Sequence, residues 1–578
     1  VGIVEVDSLG AGGNVAVGFV HRRLAVIDLE ARSNQPMRVG KWWITFNGEI
    51  YNFRALREEL GGEWKTEGDT EVVLRVLMRW GVEGLTKLDG MFALAAWDGE
   101  QGRLILARDR MGQKPLLFSV LERDTPCDAV SFGSDFGAVM AASWVSDDVS
   151  KAAVGEYLRW GYVPSPRSVY EQIWKVRPGE WWVFEKGNAD CGRYFNPNEV
   201  EPLAGANLRA EIEGAVESQL VADVPVGCFL SGGMDSSIVA AGMVKAVGDS
   251  KRVRTFCAGF GDPRYDERTF ARQVAGHLGT THVEFEVNAG AAEALPLLAR
   301  MTGEPFGDSS LLPTYLLSKV VREHVTVALS GDGGDELFGG YERYAAMELA
   351  RKLAWVPGKK LASLILPGGE VKSKVARVKR FLAGAGEGPG RRYGGWVGVF
   401  DRKLAGRLMG KELKDGEVEQ VYEEYADRGA ALGAMATDRV TYLPDDLLNK
   451  VDRASMAVAL EVRSPFMNER VVRAAAGLAW ADMWAGGRGK RALARAYEGV
   501  LPAGVFTRAK SGFGVPVGEW WRGEARGFAE GALFGGKLGA WVDMGVVRQL
   551  WEAHQGGQAE HGQRIYALVM LGLWAGER

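Results

Sequence analysis

The stretch "VPVGCFLSGGMDSSIVAAGMV" (Val224–Val244) places reactive groups at a structural junction. An apolar run ends at Leu230. A hydroxyl, two glycines, an acid and two more hydroxyls come next, before an apolar helical pattern begins. Read as strand, turn and helix, this junction is an anion cradle. Gly232 and Gly233 permit positive φ and close approach of a ligand to the backbone. The first helical turn offers free N–H groups and the positive end of the dipole. Ser231, Ser236 and Ser237 add hydroxyl donors, and a phosphate suits the whole set. Asp235, expected on an exposed loop, does not suit a bare phosphate. It suits one that carries Mg²⁺, which takes carboxylate and phosphate oxygens together. The loop therefore reads as a nucleotide pyrophosphate cradle. No G-x-x-x-x-G-K-[ST] pattern occurs in the chain, so it is not a Walker A loop.

A second glycine-rich stretch, "SGDGGDELFGGY" (Ser330–Tyr341), carries Asp332, Asp335 and Glu336. Crowded carboxylates near a phosphate suit metal binding or general-base work, and crowding raises the pKa of one of them. "WWITFNGEIYNF" (Trp42–Phe53) has Asn47 and Gly48 after an apolar run. Asn-Gly is a strong tight-turn signal. The same pair is also a backbone and side-chain amide set of the kind that forms an oxyanion hole, with Glu49 as an acceptor for an amine. Lys510 sits in "RAKSGFGVPVGEWW", and its residue type alone leaves it between a solvated loop charge and a site group.

The elements that must position these residues fall into two regimes. Before about residue 190, short apolar runs such as "NVAVGFV", "LAVIDL", "WWITF", "MFALAAWD", "RLILARD" and "VSFGSD" alternate with turn residues and read as strands. Helical patterns interrupt them at Phe53–Leu60 and Glu71–Trp80. This is an α+β layer pattern. "DCGRYFNPNEVEPLAGA" (Asp190–Ala206) breaks the rhythm, and the linker is expected there. Afterwards strands at "VGCFL", "VRTFCAGF", "THVEFEV" and "VTVALS" alternate with helices, which predicts a parallel sheet covered on both faces. Both glycine loops come directly after such strands, at the carboxyl ends where ligands of open sheets bind. From Tyr341 onward the pattern is mostly helical.

A chain of 578 residues is too long for one core. Its 47% apolar and 25% charged residues are ordinary for a globular protein. A net charge of -4 gives no basic footprint for nucleic acid, and no run of 18 uncharged apolar residues offers a membrane span. The four cysteines (Cys127, Cys191, Cys228, Cys257) have no C-x-x-C spacing and read as reduced thiols of a cytoplasmic protein.

The stretches "HRRLAVIDL", "FNGEIYNF", "GDTEVVL", "LDGMFALAAWD", "ARDRMGQKPL", "VPVGCFLSGGMDSS", "YDERTFA", "EPFGDSS", "VALSGDGGDELFGGYERY", "LLNKVDRASMAVALEVRSPF" and "KSGFGVPVGEW" together resemble a glutamine-hydrolysing asparagine synthetase, in family order and over nearly the whole chain. The resemblance implies an N-terminal αββα amidotransferase domain of the N-terminal-nucleophile type (residues 1–195). It also implies a parallel-sheet ATP pyrophosphatase domain, adenine nucleotide alpha hydrolase-like, with a helical extension (residues 206–578). It implies that Arg23 binds the glutamine carboxylate, that Glu49 and Asp69 bind its amine, and that Asn47 and Gly48 form the oxyanion hole. Ser231, Gly232, Gly233, Asp235, Ser236 and Ser237 would cradle ATP, with Leu230, Ala258, Ser330 and Gly331 lining the nucleotide pocket. Asp235 and Asp335 would hold Mg²⁺, Asp332 would act as base for ammonia attack, and Lys510 would stabilise the pyrophosphate leaving group.

The implied substrates are glutamine, aspartate and ATP, the implied intermediate β-aspartyl-AMP, and the implied assembly a homodimer. A related amide-forming synthetase acting on another carboxylate, in peptide or polysaccharide tailoring, would use the same loops. A non-catalytic regulatory protein on this fold is the other alternative, and intact Asp235, Asp335 and Lys510 count against it. The family's N-terminal cysteine nucleophile has no counterpart here. "VGIVEVD" aligns with family residues downstream of that cysteine, so about fifty further residues, the equivalent of two strands and a helix, are expected upstream in the gene.

Overall fold

The computed structural model describes residues 2–10, 13–122, 125, 127–260, 266–287, 289–353, 381, 384, 387–508 and 514–578. The strands of the N-terminal part are β1 (Gly2–Gly10), β2 (Gly13–His21), β3 (Met37–Val39), β4 (Trp42–Ile50), β5 (Gly90–Asp98), β6 (Arg103–Arg108), β7 (Leu117–Leu121), β8 (Ala129–Gly133), β9 (Trp174–Lys175), β10 (Glu180–Glu185) and β11 (Asn188–Arg193). Six of them form one antiparallel sheet in the order β11-β10-β6-β5-β4-β3, and β8-β7-β9 and β1-β2 form smaller ones.

The period-2 pattern of β5 sorts its side chains. Phe92, Leu94 and Ala96 face a core shared with helices Phe53–Leu60 and Thr70–Trp80. Ala93, Ala95 and Trp97 face a second core with Phe19, Leu116 and Phe118. The short helix Phe136–Met140 packs beyond the three-stranded sheet. The layers thus run helix, sheet, sheet, helix, the αββα order that the family resemblance implies.

The C-terminal part holds β12 (Val226–Phe229), β13 (Arg254–Phe260), β14 (Thr281–Val287), β15 (Val327–Leu329) and β16 (Glu461–Arg463). All four pairings are parallel, in the order β14-β13-β12-β15-β16. Cys228, Cys257 and Leu329 face helices Leu208–Ser218, Met234–Val247 and Arg268–Leu278. Phe256, Ala258, Ala328 and Val462 face helices Leu311–Val321 and Asn449–Met456. The order reverses direction at β12/β15, the topological switch point where ligands of open sheets bind. Helices fill the remainder around the buried helix Gly562–Gly576.

Three expectations are corrected. "LAVIDL" is not a strand. Asp28 lies at φ +50, and its carboxylate accepts from Ser33 Oγ (2.7 Å) and the Glu67 N–H (2.7 Å). Arg23 Nη2 donates to the carbonyls of Ile27 (2.7 Å) and Asp28 (2.6 Å). Side chains, not a ladder, satisfy this backbone. Secondly, the expected linker begins too early, because Asp190–Arg193 belong to the edge strand β11. Thirdly, β16 was not expected among the helices after Tyr341. It is three residues long, two of them charged, and no local pattern marks it.

Candidate functional site

The cradle lies directly after β12. Gly232 takes φ +72, and a Cβ there would lie 2.5 Å from the Phe270 carbonyl carbon, so only glycine lets the turn sit against the next helix. Ser231 Oγ accepts from the Gly233 N–H (3.2 Å), and the Ser231 and Ser236 hydroxyls are 3.1 Å apart. Gly233 is the N-cap of Met234–Val247, which has no side-chain cap, so its first N–H groups point into the turn. Leu230, just past β12, and Ala258, within β13, are buried beneath the loop.

Asp235 is not on an exposed loop. It stands in the first helical turn with its side chain 17% exposed. The second glycine loop, after β15, is pressed against it. A Cβ on Gly331 would come within 2.8 Å of the Asp235 Cβ, and one on Gly334 within 2.6 Å of its Cγ. The glycines of "SGDGGDE" thus let Asp335 approach Asp235. Both carboxylates close on the ammonium of Lys490, which touches Asp235 Oδ2 and lies 2.6 Å from Asp335 Oδ1. Burial opposes the Lys490 charge, but the two carboxylates outweigh it and raise its pKa. Among the described residues Lys490 is one of four non-glycine residues at positive φ (+56), which marks it as held in place. The residue types and spacing around it gave no sign of this role.

Two carboxylates aimed at one cation fit a Mg²⁺ ion, with phosphate oxygens completing its shell. No group of three or more His, Cys, Asp or Glu converges as a metal site among the described residues, so the protein's own share would be these two.

Asp332 is half-buried beside them, accepting from Ser330 Oγ at 2.7 Å. Burial pushes its pKa up, with that hydrogen bond and Lys450 opposing. Lys450 itself is held by Asp308 Oδ2 (2.8 Å) and Ser310 Oγ (2.8 Å). Lys510 lies outside the described residues.

The N-terminal residues meet in a second pocket. It is lined by Arg23, Asn47, Gly48, Glu49 and Asp69, with Met456 and Glu461 from the C-terminal part as one wall. Asn47 and Gly48 are inside β4 and make no turn. Asn47 Nδ2 donates to Ser134 Oγ (3.3 Å). Asp69 accepts from the Ile50 N–H at 2.9 Å, and burial pushes its pKa up to about 6. Burial first, then Asp69 and Glu461, drives the Glu49 carboxyl well above its usual range. Glu49 Oε2 is buried with no hydrogen-bond partner among the described residues.

A Cβ on Gly48 would sit 2.0 Å from the Met91 carbonyl oxygen, a backbone atom that cannot swing away. Gly48→Ala is therefore expected to cost about 1–3 kcal/mol, the usual scale of overpacking. Thermal unfolding checks this, and an unchanged Tm refutes the close approach.

β16 links the pockets. Arg463 is fully buried, bonded to Glu461 Oε1 (2.8 Å) and packed 5.4 Å from the Tyr51 ring centre. Its carbonyl accepts the Ser330 N–H (2.8 Å) at the start of the second glycine loop. None of the cysteines serves either site. Burial pushes the thiols of Cys127 and Cys257 up to about 11 and about 12, and those of Cys228 and Cys191 upward also. Among the described residues no helix is long and apolar enough to cross a membrane.

Comparison with known proteins finds relatives over both parts of the chain. Residues 207–576 match the family model described as asparagine synthase, and residues 6–195 match that of the glutamine amidotransferase domain. The glutamine-hydrolyzing asparagine synthetase 1 of Bacillus subtilis is 31% identical over 98% of this chain and 91% of its own. A putative glutamine-hydrolyzing asparagine synthetase of Mycobacterium tuberculosis is 31% identical over 98% and 89%. Asparagine synthetase B of Escherichia coli is 30% identical over 60% and 61%. With one family model spanning more than half of its length and such relatives spanning nearly all of it, the chain belongs to the glutamine-hydrolysing asparagine synthetases, ligases that form C–N bonds.

Proposed function

We propose that the C-terminal domain (206–578) activates the side-chain carboxylate of aspartate with ATP, releasing pyrophosphate and holding β-aspartyl-AMP until ammonia displaces AMP. The N-terminal domain (1–195) binds the glutamine that is the source of that ammonia. The observation that carries this reading is the convergence of Asp235 and Asp335 on one cation beside the open helix N-terminus of the cradle.

In this reading Ser231–Ser237 hold the phosphates, and Leu230, Ala258, Ser330 and Gly331 shape the nucleotide pocket. Asp235 and Asp335 would hold Mg²⁺, which neutralises phosphate charge when bound. Asp332, with its raised pKa, takes a proton from the attacking ammonia. In the second pocket Arg23 pairs with the glutamine carboxylate, Glu49 and Asp69 with its amine, and Asn47 and Gly48 with the oxyanion. The four free thiols suit a reducing cytoplasm.

Breaking the α–β phosphate bond builds charge on pyrophosphate, and Lys510 is assigned to meet it. A cation acting mainly in the transition state lowers kcat more than it raises KM. Lys510→Ala is expected to lower aspartate-dependent ATP–pyrophosphate exchange on the order of 10²–10³-fold. Exchange within about threefold of wild type, far below that donor scale, would return Lys510 to a solvated loop charge. Exchange that responds to a different carboxylate and not to aspartate would move the acceptor assignment.

A further inference from the structure

The guanidinium of Arg508 joins three segments that the assigned chemistry leaves unlinked. Nη1 donates to the Ser231 carbonyl oxygen at 3.2 Å, on the first residue of the cradle. Nη2 pairs with Glu267 Oε1 at 2.6 Å. The carbon of the guanidinium lies 4.0 Å from the centre of the Phe270 ring. Glu267 and Phe270 bracket the start of helix Arg268–Leu278, the same turn of chain against which Gly232 is pressed without room for a Cβ. Arg508 itself ends helix Ala503–Thr507.

The parts are unusual separately and explain one another together. Glu267 is a buried carboxylate whose pKa burial raises, and Arg508 is what opposes that rise. Phe270 is 41% exposed, a large apolar ring left at the surface, and a cation covers one of its faces. A planar fork with fixed donors suits this task, because it can hold a carbonyl and a carboxylate at once while stacking on a ring. An ammonium, a compact point charge without that plane, cannot reproduce the set.

We propose that Arg508 is a positioning residue for nucleotide binding: through Ser231, Glu267 and Phe270 it fixes the first turn of the cradle in the shape that receives the triphosphate. This rests on the assignment of Ser231–Ser237 as the ATP site. Removing the guanidinium frees the Ser231 carbonyl and also leaves Glu267 as a buried, unpaired carboxylate beside an anion site. Both effects weaken ATP binding before any chemistry occurs.

The test is the ATP dissociation constant of the full chain, measured calorimetrically with Mg²⁺ and without acceptor, beside KM for ATP in pyrophosphate exchange. Arg508→Ala is expected to raise both about tenfold or more, roughly the loss of one charge-assisted contact, and to change kcat much less. Arg508→Lys should recover only a minor part. Arg508→Ala/Glu267→Gln should bind ATP better than Arg508→Ala alone, since the stranded charge is gone. Glu267→Gln alone, which keeps the side-chain shape, serves if Arg508→Ala does not fold, and should raise KM for ATP severalfold. ATP affinity within twofold of wild type in these variants overturns the proposal. So does a full recovery by Arg508→Lys, or a loss confined to kcat. An Asp235→Asn protein that binds and uses ATP normally would instead overturn the cradle assignment on which the proposal rests.

Discussion

Asp235→Asn is expected to abolish ATP–pyrophosphate exchange while leaving Tm near that of wild type. Asparagine is nearly isosteric with aspartate, so the contacts that press Asp235 against Gly331 and Gly334 survive. Lys490 keeps Asp335 as its ion-pair partner. What disappears is one of the two negative charges that converge beside the cradle. A neutral amide is a poor ligand for a hard divalent cation, and a metal left with one protein carboxylate holds the triphosphate loosely. Loss of a preorganised charge of this kind costs on the order of 10²–10³ in rate. With Tm matched, exchange near the wild-type rate removes Asp235 from the metal pair.

The second large effect is expected from Lys490→Met. Methionine fills much of the same volume, so packing against Gly340 is largely kept, but the ammonium between Asp235 and Asp335 is lost. Removing one partner of a buried ion pair costs about 3–5 kcal/mol, because the remaining charge is stranded. Here two like charges are stranded together. Their pKa values in the folded variant rise above the unfolded values. The native state then binds more protons than the unfolded one, so stability grows as pH falls through the raised values. The Tm deficit of Lys490→Met should therefore be large near neutral pH and shrink on acidification, and Mg²⁺ should recover part of it by replacing the lost cation. A deficit that is absent, or that deepens in acid, removes Lys490 from its bridging role.

Lys490 also shows where the sequence stops being informative. It sits in "GGRGKR", 255 residues from Asp235, and nothing local distinguishes it from a surface lysine. The glycine loops were legible because their chemistry is local: a turn after a strand, a positive φ at Gly232, an uncapped helix start. The helix Phe53–Leu60 was legible to the residue for the same reason, since its pattern is complete within its own length. "LAVIDL" was misread because its apolar β-branched run is identical to that of a strand. What decides otherwise is Asp28, whose partners include Glu67 and, through its own N–H, Asp223. Asn47 and Gly48 read as a tight turn or an amide pair following a strand, and their place inside β4 emerges only with β5 alongside, since the close approach to Met91 is a property of the pair of strands. The site was thus readable where one segment builds it and unreadable where distant segments meet.

The strand β16 bears on how this enzyme can be taken apart. Glu461 walls the pocket of Arg23 and Glu49, while two residues later the Arg463 carbonyl holds the start of the second glycine loop. The boundary between the catalytic units in space does not coincide with the boundary along the chain. Grafting the amidotransferase half of one relative onto the synthetase half of another would pair each pocket with a wall shaped for a different occupant. A chimera that respects the molecule must carry Met456–Ser464 with the N-terminal half, as an exchange of surfaces and not of sequence blocks.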